Sequence, residues 1–179
     1  MPNWTYNDLQ VQDGTGGYEL SKCDKPEQKA RKQLIKFHKE NINVDKERAF
    51  SFQTAIPRPK ELDITSPAHT DEEKAQEKIN LKKYGHKNWY DWNCDKWGTK
   101  WDTARAQIDE AIEHEGEVRI YFETAWAPPL AWLKEISKKY PLLTFKMHVS
   151  EESEAFIGKP IARNGNLKQN ITGIDYPEG

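Results

Sequence analysis

Catalysis needs a nucleophile beside a base, paired carboxylates at a cleft, or convergent metal ligands, and the residues able to supply these are scattered here. His69, His86, His114 and His148 fall in no ligand spacing and read as surface or loop histidines. Cys94 stands beside Asp95 with His86 nearby, an outline of a thiol nucleophile, but its aromatic surroundings point to a buried, unreactive thiol. Asp91, Asp95, Asp102 and Glu123 are carboxylates that helix capping and pairing with Lys100 also explain. The run Gly14-Thr15-Gly16-Gly17 lacks the further Gly, Lys and Ser/Thr of a phosphate loop, and no helix starts directly after it. Cys23 and Cys94, the only two cysteines, lie far apart in no metal-ligand spacing, so both read as free structural thiols. No catalytic residue, metal or cofactor is assigned, and the expectation is a protein that is not an enzyme.

Binding chemistry is better represented. The stretch His86 to Asp102 holds four of the seven tryptophans. In it and just before it, Lys82, Lys83, Lys87, Lys96 and Lys100 interleave with Tyr84, Trp89, Tyr90, Trp92, Trp97 and Trp101. Single-stranded nucleic acids are held by cations on phosphates and bases stacked on rings. The competing reading makes the same rings a core. It is favoured because the apolar fraction is only 36% and the charged fraction 31%, while each aromatic buries about 150–250 Å². The residues singled out for binding are Trp89, Trp92, Lys96, Lys100 and Trp101. Acidic runs at Asp109 to Glu117 and Glu151 to Glu154 are further candidate surfaces, though such runs are more often solvated loops.

The elements that must carry these residues follow from pattern. Met1 to Asp13 alternates as a first strand, with Trp4, Tyr6, Leu9 and Val11 at apolar positions. Asp24, Pro26 and Glu27 open a helix to about Glu40 with Ala30, Leu34 and Phe37 on its apolar stripe and Lys29, Arg31, Lys32, Lys36 and Lys39 on a solvated basic face. Arg48 to Ile56 reads as a second strand carrying Phe50 and Phe52, ended by Pro57 and Pro59. Thr70 and Glu73 form a capping box for a helix to Tyr84, stopped by Gly85, with a thin stripe of Ala75, Ile79 and Leu81. Asn88 then caps a short helix that Gly98 terminates.

Thr103 to Ile112 suits helix and strand equally. Glu117 to Trp126 reads as a strand, Pro128-Pro129 as the start of a helix that Pro141 ends, and Leu143 to Val149 as a strand. Two short strands, near Ala155 to Arg163 and Leu167 to Ile174, flank Asn164-Gly165, the strongest hairpin signal in the chain.

With 179 residues the chain is one domain of ordinary size (1–179), with a helical Trp-rich insertion at 71–100 and C-terminal strands at 142–174. Its net charge of −2 argues against a surface that grips nucleic acid throughout. No apolar run is long enough to span a bilayer and the N-terminus carries no leader pattern, so a cytosolic protein is expected.

Four segments together resemble a family of small phage and plasmid proteins, the YubB-like or Api-like group with a ferredoxin-like domain. They are Met1-Pro2-Asn3-Trp4 with Asn7 and Leu9; Ile56 to Leu62; Asn88 to Trp92 with Trp97-Gly98-Thr99-Lys100-Trp101-Asp102; and Glu123 to Pro129. The resemblance implies an α+β fold with a ferredoxin-like split βαβ sheet, helices on one face, the Trp-rich insertion and a C-terminal β-hairpin. It also favours a strand at Thr103, paired with the strand after Gly116. Against the family pattern, the loop Asp13 to Cys23 looks expanded and Asp109 to Glu117 long and acidic. Accessory proteins of mobile elements frequently occlude a host protein. The resemblance therefore implies a non-enzymatic protein that binds a host macromolecule, such as a defence or regulatory protein, in the bacterial cytosol. Single-stranded RNA or DNA is the alternative partner, and an enzyme with an unrecognised site the third reading; oligomeric state is left open.

Overall fold

The computed structural model describes residues 3–16, 24–44 and 48–173; Cys23 lies outside them. Strand β1 (Trp4–Gln12) keeps the two-residue period of a pleated strand. Thr5, Asn7, Leu9 and Val11 are buried on one face, and Trp4, Tyr6, Asp8 and Gln10 lie on the other. Beside it run β2 (Ala104–Ala111), β3 (Glu117–Ala125) and β4 (Thr144–Glu151), in the order β2-β3-β1-β4 with every neighbour antiparallel. β1 and β2 thus point the same way with β3 between them, the split βαβ arrangement of ferredoxin-like folds.

Within the stretch 103–112, ambiguous in sequence, residues 104–111 form β2. Arg105 takes φ +48° at an irregularity between Ala104 and Gln107, and a turn of helix, α5 (Ile112–Glu115), follows. Beyond β4 the chain lays two pieces along its free edge, β5 (Phe156–Gly158) and β6 (Ile161–Arg163), and returns as β7 (Asn166–Lys168) and β8 (Ile171–Gly173). Asn164 and Gly165 both have positive φ, as the expected two-residue hairpin requires. Each of the two expected strands is broken once, the first at Lys159-Pro160, where proline has no N–H to give a ladder.

Helix α1 (Lys25–Asn41) begins at the Asp24–Glu27 capping box and buries Ala30, Leu34 and Phe37. α6 (Leu130–Lys139) buries Trp132, Leu133 and Ile136. Arg31 does not join the solvated basic face of α1. It is buried, its Nε donating to Asp13 Oδ2 and its Nη2 to Thr15 Oγ1 at 2.6 Å. Asp13 Oδ1 accepts from Thr15 N and Oγ1, so the carboxylate is fully partnered, and a Cβ on Gly116 (φ +65°) would collide with this cluster.

The expected second strand over Arg48 to Ile56 is not formed. Phe50 makes one bridge to Ile42, and the chain then turns into a short helix, α2 (Phe52–Ala55). The reason lies at the cap: Ser51 Oγ accepts from Gln53 N, and Asp102, fifty residues away, accepts from Phe52 N at 2.7 Å. Those N–H groups are satisfied by side chains, not by a neighbouring strand. Helix α3 (Asp71–Tyr84) has the predicted caps, yet Ala75, Ile79 and Leu81 are exposed. Its buried residue is Asn80, whose Nδ2 donates to Glu61 O (2.9 Å) and Lys87 O (3.0 Å). An amide with satisfied hydrogen bonds docks this helix in place of an apolar stripe.

The core centres on Phe52, which meets Phe50, Trp97, Phe122 and Trp132 at ring separations of 6.0, 5.8, 5.7 and 5.2 Å. Two outcomes are expected. Trp97→Ala should cost about 3–5 kcal/mol, read as a lowered melting temperature. Arg31→Ala should cost about 3–5 kcal/mol in urea unfolding by stranding the buried Asp13 carboxylate, and the double change Asp13→Ala/Arg31→Ala should cost less than the two single losses added.

Candidate functional site

Helix α4 (Trp89–Lys96) starts where Asn88 Oδ1 accepts from Tyr90 N and Asp91 N. Its last turn is tied down from several directions. Asn93 Nδ2 donates to Lys100 O at 2.7 Å, and Asn93 Oδ1 accepts from Arg58 Nη1 at 2.9 Å. Trp97 enters the core with its indole N–H on Ile56 O (3.1 Å), and its carbonyl accepts from Trp132 N. Gly98, at φ +85°, lies against the start of α6, where an added Cβ would sit 3.1 Å from the Leu130 and Ala131 nitrogens. Thr99 Oγ1 donates to Ala125 O at 2.9 Å. Each residue of Trp97-Gly98-Thr99 is therefore spent on packing.

The next two residues are spent differently. Lys100 Nζ lies 4.4 Å from the Trp126 ring, 4.9 Å from Trp101 and 5.9 Å from Tyr90, a cation shared among three rings. Trp101 is 37% exposed and Trp126 47% exposed. Trp101 contacts Trp4 at 6.2 Å between centroids, and the Arg105 guanidinium covers Trp4 at 5.6 Å. Trp126 has φ +70°, a left-handed backbone that a bulky residue adopts at a cost of about 1–3 kcal/mol. Its N–H is held by Asn3 O at 3.0 Å. The fold thus maintains strain that turns this indole outward.

Behind this rim opens a cleft of about 950 Å³ lined by Trp4, Trp89, Trp97 and Trp101 together with Arg48 and Arg58. Arg58 pairs with Asp63 and covers Trp97 at 5.7 Å. Arg48 donates to Thr103 O and lies 3.5 Å from Asp102, a carboxylate already accepting from Ser51 Oγ, Phe52 N and Thr103 N. The guanidinium of Arg48 is half-exposed, and its other donors have no partner among the described residues. Aromatic faces, partly free cations and an open volume are suited to holding a side chain or planar group of a partner.

Of the residues singled out in sequence, Trp89 and Trp101 line the cleft and Lys100 the rim. Trp92 does not: it is 6% exposed and packs edge-on against Trp97 at 5.4 Å, because the inner side of α4 faces the core. Lys96 points elsewhere, paired with Asp95 at 3.0 Å beside a hollow between α4 and α6. Cys94 is exposed, against the expectation of burial. Desolvation of its sulfur, with the Asp91 carboxylate nearby, still holds the thiol above its ordinary pKa. His86 meets Asp95 Oδ2 at 3.0 Å, so it does not serve as a base for that thiol. Trp4 and Trp126 join the site without having been singled out in sequence: Trp4 is out of phase with Leu9 and Val11, on the other face of β1, and Trp126 precedes Ala127-Pro128-Pro129, where a strand cannot continue. Among the described residues no group of three or more His, Cys, Asp or Glu could hold a metal ion, and no helix is long and apolar enough to cross a membrane.

Residues 96–174 match the family model described as the ferredoxin-like domain in Api92-like protein, a segment running from the end of α4 through the C-terminal strands. The crystal structure of the protein api92 from Yersinia pseudotuberculosis is similar over 100% of both chains, with a TM-score of 0.48 and 8% sequence identity. No curated protein matches.

One wall of the cleft follows a 3-10 turn (Lys60–Leu62) that is tied to the end of α3. Glu61 Oε1 accepts from the Tyr84 hydroxyl (2.7 Å) and the Lys83 ammonium (3.0 Å). Led by the Tyr84 hydroxyl, these contacts and a backbone N–H hold the carboxyl at about 2, below its ordinary 4.5. Because the folded value is the lower one, the tie is fully present above about pH 4.5 and is lost as pH falls toward 2. Amide chemical shifts of Tyr84 and Gly85 should titrate with a midpoint near 2 and stay flat in Glu61→Gln; a midpoint near 4.5 would contradict the tie.

Proposed function

We propose that this chain is a non-catalytic recognition protein that captures a protein partner at the Trp4, Trp101 and Trp126 rim and the cleft behind it. One observation carries the reading. Trp101 and Trp126 stay 37% and 47% exposed around Lys100, with Trp126 on a strained backbone, while Trp92, Trp97 and Trp132 are buried. Apolar area left open at a cost to folding marks an interaction surface. Trp, Tyr and Arg are also the side chains that dominate protein interfaces. The half-exposed Arg48 and the Arg58–Asp63 pair beside the cleft supply polar contacts for the rim of such an interface.

The match of residues 96–174 to the Api92-like model, taken with the resemblance of four segments to phage and plasmid proteins, supports a role in a mobile element acting in the bacterial cytosol. A host defence or regulatory protein is the partner this reading favours. It binds by occlusion, with no cofactor.

The full chain, immobilised and exposed to bacterial lysate, should retain a discrete host protein. Trp101→Ala and Trp126→Ala should each weaken that complex by about 2 kcal/mol or more, roughly 30-fold in Kd, with melting temperatures close to that of the parent. Equal retention by parent and both variants would exclude the rim as the interface.

A further inference from the structure

The face of the sheet opposite α1 and α6 is open to solvent, and its side chains are not those of an idle surface. β1 and β3 are its adjacent central strands, and they place Tyr6 (45% exposed) and Tyr121 (37% exposed) on that face. Tyr6 pairs with Glu123 and Asp8 with Tyr121, so the two rings are diagonal neighbours. Such positions lie about 7–8 Å apart.

Two hollows, of about 290 and 350 Å³, lie on this face and share Asp8 and His148 in their walls, which makes them one groove. Arg105 and Tyr121 stand in the first hollow, and Arg119, Lys146 and Lys159 in the second. Four basic side chains (Arg105, Arg119, Lys146, Lys159) thus meet two acidic ones (Asp8, Glu123) in a chain whose net charge is −2. The groove is thus locally basic beside the exposed tyrosines.

The acids do not cancel the groove. Asp8 accepts from Arg119 Nε and Nη2 at 2.8 and 2.6 Å, which fixes the guanidinium over the Tyr121 ring at 5.1 Å and leaves Nη1 without a partner among the described residues. Glu123 takes only Nη1 of Arg105. Lys146 and Lys159 form no ion pair among the described residues, and both are exposed.

We infer that this groove is a binding site for single-stranded nucleic acid, with bases stacked on Tyr6 and Tyr121 and phosphates on Arg119, Lys146 and Lys159. Two rings on a flat sheet flanked by cations are the elements that single strands require. A duplex presents no free base faces to these rings, whereas an unpaired strand can stack a base on each. This site is separate from the Trp101 and Trp126 rim and does not rest on the protein partner proposed there.

The test is fluorescence anisotropy of a labelled single-stranded dodecamer of mixed sequence, as RNA and as DNA, with the full chain at about 50 mM salt. Binding is expected, weaker for the matching duplex, and with log K falling against log salt with a slope of about −2 for three phosphate contacts. Tyr6→Ala and Tyr121→Ala should each weaken it about 5- to 150-fold, one stacked base apiece. Lys146→Glu/Lys159→Glu, at exposed positions, should reduce the slope to about −0.7, that of one remaining phosphate contact. Thermal melts report whether each variant is folded. No binding at low salt, or binding that survives all of these changes, overturns the proposal. So does binding lost only in Trp101→Ala, which would move the nucleic acid to the cleft, or a host protein lost from the tyrosine variants in place of the oligonucleotide.

Discussion

The structure depends on the packing of Phe52 among Phe50, Trp97, Phe122 and Trp132. Those five rings come from the segment before α2, from α2, from the end of α4, from β3 and from α6, so one cluster joins the Trp-rich insertion to both layers of the ferredoxin-like fold. In a chain with few aliphatic residues, aromatic area has to do most of the core's work. The insertion is held in place by Trp97, whose ring enters this cluster and whose indole N–H is held by Ile56 O.

Polar anchors complete what aromatic packing begins. Asp102 caps α2, Asn93 joins Lys100 to Arg58, Asn80 docks α3, and Asp13 with Arg31 closes the turn near Gly116. Each is buried or nearly so with its donors and acceptors matched, which is the condition under which burying polar groups is tolerated. The consequence is a scaffold rigid around the cleft, where Arg58 and Asp102 belong to both the support and the lining.

The aromatic residues thereby divide into two populations. Trp92, Trp97 and Trp132 are core, whereas Trp4, Trp89, Trp101 and Trp126 stand at a rim and cleft, and Tyr6 and Tyr121 lie on the open sheet face. Trp4 belongs to β1 on the same face as Tyr6, so the rim and the sheet groove adjoin. Two adjoining aromatic surfaces with different charge, one mixed and one basic, give the molecule separate means of recognising a protein and a nucleic acid strand.

Whatever is written within four residues could be read before the fold was seen. The caps at Asp24, Thr70 and Asn88, the stop at Gly85, the Asn164-Gly165 hairpin and the helix after Pro128-Pro129 all stand where local chemistry puts them, because a cap or a turn is completed by its own neighbours. Burial is decided by segments that arrive from elsewhere. Phe50 and Phe52 alternate like a strand, yet Asp102 makes them the start of a helix; Arg31 looks solvated until Asp13 covers it. Spacing does not say which of Trp89 and Trp92 is buried, since a short helix ringed with aromatics does not reveal which side will be covered. Local sequence settles most of the caps and turns and supplies the stock of rings and cations. Only the tertiary structure decided which rings became core and which stayed open, because that depends on contacts between residues tens of positions apart.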